Sequence, residues 1–321
     1  MSTLASANFW AFVAVVAGIY TILALGLQLQ FGFAGLLNFG QVGFMAIGAY
    51  TMAILVVKEG WSTWLAAPLG VAAAAVGGLI LGIPTLRLRA DYFAILTIAF
   101  GEIVRYVATN EQSLTGGTQG TIALAGVAQT AQYNGQWQTF QAKVQSWLGL
   151  SSADETMLVI VWIVALVLLV LTWLAVRTPW GRVLKAIRED EDAAASLGKN
   201  AFAYKLQALA IGAAFAGIAG LFYAWEFSFF SPDDFEPLLT FFAWMILLLG
   251  GLGRVWAVPV GAVFFGFIFA GTRFLDFAPF SWFGSDQRAY LRLIIIGLVI
   301  LVLVVLRPQG LLGKRREMVL E

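Results

Sequence analysis

Residues 1–57 contain no charged side chain, and neither do residues 60–86. Soluble domains carry charge on about a quarter of their residues, so runs of this length exclude an ordinary water-exposed fold. Only 12% of this chain is charged and 60% is apolar. Further charge-free runs cover 157–176, 206–225, 238–253, 255–272 and 293–306. A helix needs about 20 mostly apolar residues to cross the hydrocarbon of a membrane. The pattern therefore predicts an all-α, polytopic transmembrane bundle of about nine helices (eight to ten). We place them near 9–30, 34–57, 64–86, 91–109, 157–176, 206–226, 238–251, 256–275 and 289–306. The first run holds two helices, broken near FGFAG at 31–35, and the seventh is short enough to be a half-helix. The start lacks a basic n-region and an A-x-A site, which argues against a removed signal peptide.

Charge and residue usage exclude several functions. A net charge of +1 gives no general attraction to nucleic acid. With no Cys and no His, disulfides, thiol chemistry, the usual zinc sites and the commonest general base are absent. No nucleophile–base constellation is visible, so no catalytic residue, metal or cofactor is expected. Nor is there a G-x-x-x-x-G-K-S/T phosphate loop, so the chain has no backbone cradle for ATP. Arg87 and Arg89, six basic residues from Arg177 to Lys205, and Arg307, Lys314, Arg315 and Arg316 fall on one side of the expected topology. The positive-inside rule makes that side, with the C-terminus, cytoplasmic. Trp61 and Trp64 suit the outer interface.

Two segments do not read as spans. Residues 110–156 include six Gln between Gln129 and Gln145, and are expected to form an external loop with one short surface helix. The second, 177–205, is expected in the cytoplasm; seven of the eighteen residues from Arg188 to Lys205 are charged. It reads as two short helices: Thr178 and Pro179 start the first; Val183, Leu184 and Ile187 give it an apolar face; Asp190 caps the second; Gly198 with Asn200 ends it. One reading is a solvated hairpin whose charges only set topology. Ala193, Ala194 and Ala195 favour another, in which a small-faced helix sits in a groove on a soluble partner.

E-D-x-A-A-x-x-x-G, running from Glu191 and Asp192 through Ala193 and Ala194 to Gly198, resembles the coupling loop of ABC importer permeases. GLLNFGQVGFMAIGAY (35–50), LRLRADYFAILTIAFGEIVR (86–105), SLTGGTQG (113–120), AIREDEDAAASLGKNAFAYKLQA (186–208), LLGGLGRVWAVPVGA (248–262) and LRPQGLLG (306–313) resemble, in order, the permeases of branched-chain amino acid importers. The likeness is to the second, M-type permease of the pair such importers use. Asp192 departs from the pattern, standing where the family usually has an apolar residue, and 121–156 matches nothing recognisable. The resemblance implies one permease domain over 1–321 in a bacterial inner membrane, beside a homologous second permease. It further implies two cytoplasmic ATPases that push on Glu191, Asp192, Ala193, Ala194 and Gly198, and a periplasmic binding protein that delivers cargo.

Transporter sites tend to lie where Gly-broken helices expose backbone to a cavity. Residues 31–44 and 247–265 fit, and hint at an internal repeat. In the first, Asn38 and Gln41 line the path or else glue helices together. Glu102 and Arg105 share a helix face, and an ionisable group inside a membrane is a candidate functional residue. Thr115, Gly116 and Gly117 follow; their amides face a carboxylate, or the segment is a plain tight turn. Alternatives stay open at this point: a urea or short-chain amide importer; an ion-coupled secondary transporter, for which Glu102 is the titratable candidate; and a passive channel, which has no need of the hairpin.

Overall fold

The structure, a computed structural model, describes residues 7–125, 132–271 and 310–312, with seven further residues between 287 and 302. It is a bundle of α-helices. In chain order these are α1 (Ala7–Leu27), α2 (Gln41–Val57), α3 (Thr63–Thr85), α4 (Ala90–Asn110), α5 (Gln112–Thr115), α6 (Gly120–Ala125) and α7 (Gln132–Leu148). They continue with α8 (Ala153–Arg177), α9 (Pro179–Glu189), α10 (Glu191–Ser196), α11 (Ala201–Phe227), α12 (Pro237–Gly250) and α13 (Ala257–Gly271). Five helical stretches are long and apolar enough to cross a membrane: 9–33, 63–85, 90–110, 153–177 and 201–227. The shorter α2, α12 and α13 complete eight of the nine expected helices. Residues 289–306 fall largely outside the described part, as do Arg307, Lys314, Arg315 and Arg316.

α11 lies at the centre, against α3, α2 and α1; α1 also packs on α8, α12 and α13, and α2 on α4. Small residues make this possible. A Cβ built on Gly48 would lie 2.6 Å from Gly217 Cα, and one on Gly217 would lie 2.7 Å from Ala74 Cβ. Where lipid is as apolar as the side chains, helices associate by such close backbone packing rather than by expelling water. The notable break is between α1 and α2. α1 ends in a π-helical turn, Gln28–Phe33, the chain turns at Gly35 (φ +72°), and α2 starts only at Gln41. The interruption thus spans 35–40, several residues beyond the expected 31–35. The second Gly-rich stretch breaks similarly after α12, where Gly251 has φ +122°. There Leu311 and Leu312 donate their amides to the carbonyls of Leu249 and Gly250, at 2.7 and 3.0 Å, satisfying groups that a helix end leaves open.

Residues 110–156 depart from the expected loop, since most of them are helical. The Gln-rich part is α7, and its polarity masks an apolar face. Trp137, 3% exposed, stacks on Trp225 with centroids 4.1 Å apart and planes 4° from parallel. Phe140 meets Trp64 edge-on at 5.0 Å. Asn134 donates to Ser228 Oγ at 2.7 Å, so α7 is clamped to the end of α11.

Gly48→Val should overpack the α2–α11 contact and destabilise the protein by about 1–3 kcal/mol. Gly135→Ala, in α7 with open space around its would-be Cβ, should stabilise it by about 0.5–1 kcal/mol. Thermal melts of the purified protein in one detergent check both signs.

Candidate functional site

The break before α2 lies inside the bundle, so each of its backbone amides needs an acceptor from protein. Asn38 organises the answer. It is fully buried, as are Gln30 and Gln41. Its Nδ2 donates to Gln30 Oε1 (2.8 Å) and Gln41 Oε1 (2.9 Å). Its Oδ1 accepts from Gly40 N–H (2.8 Å) and its carbonyl from Trp244 Nε1 (2.9 Å). Gln41 Nε2 donates on to Gly212 O (2.8 Å), and Gln30 Nε2 to Leu209 O (3.2 Å), both on α11. Phe39 N–H finds Thr97 Oγ1 of α4, and Val42 N–H finds Thr240 Oγ1 of α12, each at 3.0 Å. Asn38 and Gln41, expected as path residues or helix glue, thus form a knot joining α1, α2, α4, α11 and α12. Sequence reasoning missed Gln30, Thr97 and Thr240. Gln30 carries the strongest local signal, an amide side chain within an apolar run; the two threonines sit in apolar runs too, but their hydroxyls are small enough to bond within their own helix.

The hairpin α9–α10 sits at the end of the bundle where α1 terminates. The Asp190 cap follows the sequence reading, its Oδ1 accepting from Ala193 N–H (2.8 Å); Asn200, expected to help end α10, instead caps the start of α11, its Oδ1 accepting from Ala203 N–H (3.1 Å). Gly198 takes φ +74° just past α10. Thr178 makes no such cap, its hydroxyl donating back to Ala175 O (2.6 Å). Glu191, Asp192, Ala193 and Gly198 are exposed. Glu191 pairs with Lys205. Ala194 is not exposed, however. At 4% accessibility it packs with Ile187 and Ala201, so it is part of the core that holds α9, α10 and α11 together. The exposed apolar group of α10's far end is instead Leu197, at 81%, which sequence reasoning missed. On the inner side, Arg188 Nη1 donates to Gly32 O (2.5 Å) in the π-helical turn of α1.

The opposite end gathers charge. Arg105 Nη2 meets Glu102 Oε2 at 2.8 Å, and Nη1 meets Asp233 Oδ1 at 3.1 Å. Asp233 was not anticipated, since it lies 128 residues from Arg105. Thr115, 5% exposed, lies near this end. Its hydroxyl is shared between Ala108 O and Glu111 O (2.5 and 2.7 Å) and accepts from Gly117 N–H (3.3 Å). Gly116 N–H is bound to Gln112 O (3.1 Å). Gly116 and Gly117, at φ +84° and +61°, therefore form a tight turn that uses both amides internally. Among the described residues, no group of His, Cys, Asp and Glu could hold a metal ion.

Five helical stretches long and apolar enough to cross a membrane point to a multi-pass membrane protein, and comparison with known proteins supplies the class. The family model described as "Branched-chain amino acid transport system / permease component" matches residues 9–304, and the chain belongs to that family. It is 37% identical to the high-affinity branched-chain amino acid transport system permease protein LivM of Escherichia coli K12, over 95% of this chain and 70% of the relative. A probable LivM of Methanocaldococcus jannaschii is 25% identical, covering 93% of this chain and 91% of the relative. The E. coli K12 permease protein LivH is 28% identical, covering 92% and 91%. No solved structure matches. The chain is thus a permease subunit.

Asn38→Leu keeps the side-chain size but strands the Gln30 and Gln41 carbonyls and the Gly40 amide. Each buried group left unpaired costs about 1–3 kcal/mol, so this variant should melt well below wild type. Thr97→Val, which strands only the Phe39 amide, should lose less. Melts of both in the same detergent check the order.

Proposed function

We propose that this chain is the M-type subunit of an ATP-driven ABC importer in a bacterial inner membrane, and that it forms half of a path for branched-chain or related hydrophobic amino acids. Its cargo is that named for its LivM and LivH relatives. E. coli K12 has both of these permease proteins, which supports a second, homologous permease as partner. The hairpin end is cytoplasmic by the positive-inside argument, and the C-terminal residues 310–312 run beside α12's last turn.

One observation carries the coupling assignment: a hairpin braced by its own small core presents Glu191, Asp192, Ala193 and Leu197 to solvent. Two cytoplasmic ATPases act there, because the chain has no phosphate loop of its own. Asp192 and the exposed Ala193 and Leu197 meet the ATPase, while Ala194 and Gly198 give the hairpin its shape. At the other end a periplasmic binding protein releases cargo near Glu102, Arg105 and Asp233. Thr115, Gly116 and Gly117 set the backbone there. Asn38 and Gln41 serve the path by fixing the helix break, since their polar atoms are already paired within the chain. The permease itself is not an enzyme.

Ala193→Trp and Leu197→Asp change exposed positions, where stability should shift by no more than about 0.5 kcal/mol. Both should lower ATPase recovery in pull-downs at least about tenfold, with ATP-dependent uptake in proteoliposomes falling alongside. Ala194→Trp should instead melt the protein earlier, by about 1–3 kcal/mol of overpacking. Wild-type recovery with both Ala193→Trp and Leu197→Asp would remove the hairpin as the docking site.

A further inference from the structure

We infer that Arg188 is the positioning residue through which movement of the hairpin reaches the broken helix. The hairpin joins α8 and α11 through the chain itself, and its further ties to α11, the Ile187–Ala194–Ala201 core and the pairs Trp180–Gln207 and Glu191–Lys205, lie beside those junctions. Arg188 differs in reaching α1, 156 residues away in sequence. Its acceptor, the Gly32 carbonyl, lies in the terminal turn, where helix carbonyls lack intrahelical donors and carry the negative end of the dipole. A guanidinium there makes a charge-assisted bond, stronger than a neutral one.

The chain is shaped around this contact. Gly35 turns at φ +72°, and a Cβ on it would lie 3.1 Å from Arg188 Cγ and 3.6 Å from Arg188 Cα. Any side chain at 35 would press the arginine away. Lys185, one turn earlier on α9, holds its ammonium 5.5 Å from the Phe33 ring centre. The segment gripped also buries an unpaired side-chain amide. Gln28 is fully buried, with neither amide atom partnered, in a π-helical turn, a geometry that often marks functional sites. Two residues before Gly32, Gln30 holds both the Asn38 side chain and the Leu209 carbonyl. A pull on Gly32 is therefore a pull on the knot that sets the start of α2.

This inference rests on the hairpin being the ATPase contact, and failure of that reading would appear as wild-type ATPase recovery with the Leu197 and Ala193 variants. The test here is the number of ATP hydrolysed per cargo molecule taken up by the complete importer in proteoliposomes. Arg188→Met should keep ATPase recovery and hydrolysis within about twofold of wild type while uptake falls at least about tenfold. Arg188→Lys, which can still donate to one carbonyl, should hold uptake within about threefold, and Arg188→Gln should fall between them. If the Met variant does not assemble, the rise in the ratio from Lys to Gln decides. Hydrolysis and uptake falling in proportion, or equal ratios across the assembled variants, would show Arg188 to be an ordinary structural contact.

Discussion

A polypeptide backbone interrupted inside an apolar bundle has no water to complete its hydrogen bonds, and in this protein three buried side chains, Asn38, Thr97 and Thr240, take up the amides of Gly40, Phe39 and Val42, with Asn38 at the centre. Its amide group supplies two donors and one acceptor, and all three are used. Through Gln30 and Gln41 the same group fixes α1 and α2 to the carbonyls of α11. Because those carbonyls belong to Leu209 and Gly212, α11 must come close, and the glycines along α2, α3 and α11 permit it. The break, the central helix and the small-residue packing are thus one arrangement.

Much of this is legible in the sequence, for local reasons. Span length and apolarity are properties of contiguous residues, so α1 to α4, α8 and α11 to α13 fall near their expected places. The hairpin is legible too, because Asp190 and Gly198 act on residues three away. Sequence reasoning fails where the determining contact is distant. The apolar face of α7 is defined by Trp225, Phe222 and Trp64, none adjacent in sequence, while its five Gln suggest a loop. The alanine run suggests an outer face for Ala194, but a helix of six residues has too few positions to fix its phase, and Ile187 and Ala201 decide it. The partners of Asn38 and Arg105 are likewise set by helices many residues away.

The two ends of the molecule are physically continuous through the knot. α4 carries Thr97, which holds the Phe39 amide, and further along carries Glu102 and Arg105. Asp233 precedes α12, which returns to the knot through Thr240 and Trp244. On the other side Gly32 and Gln30 lead to Arg188 and the hairpin. The importer proposed above, driven by ATPases docked at the hairpin, would need such a mechanical route, and contiguous hydrogen-bonded elements with rigid helices between them can provide it.

The irregular segment before α2 is held as firmly as a helix. Amide hydrogen–deuterium exchange of peptides covering residues 39–43, in protein embedded in lipid nanodiscs, tests it directly. Protection there should match the middle of α2 and lie far above that of the 58–62 turn, with Asn38→Ala reducing protection across 39–43 first. Exchange in the wild type as fast as at 58–62 would contradict it.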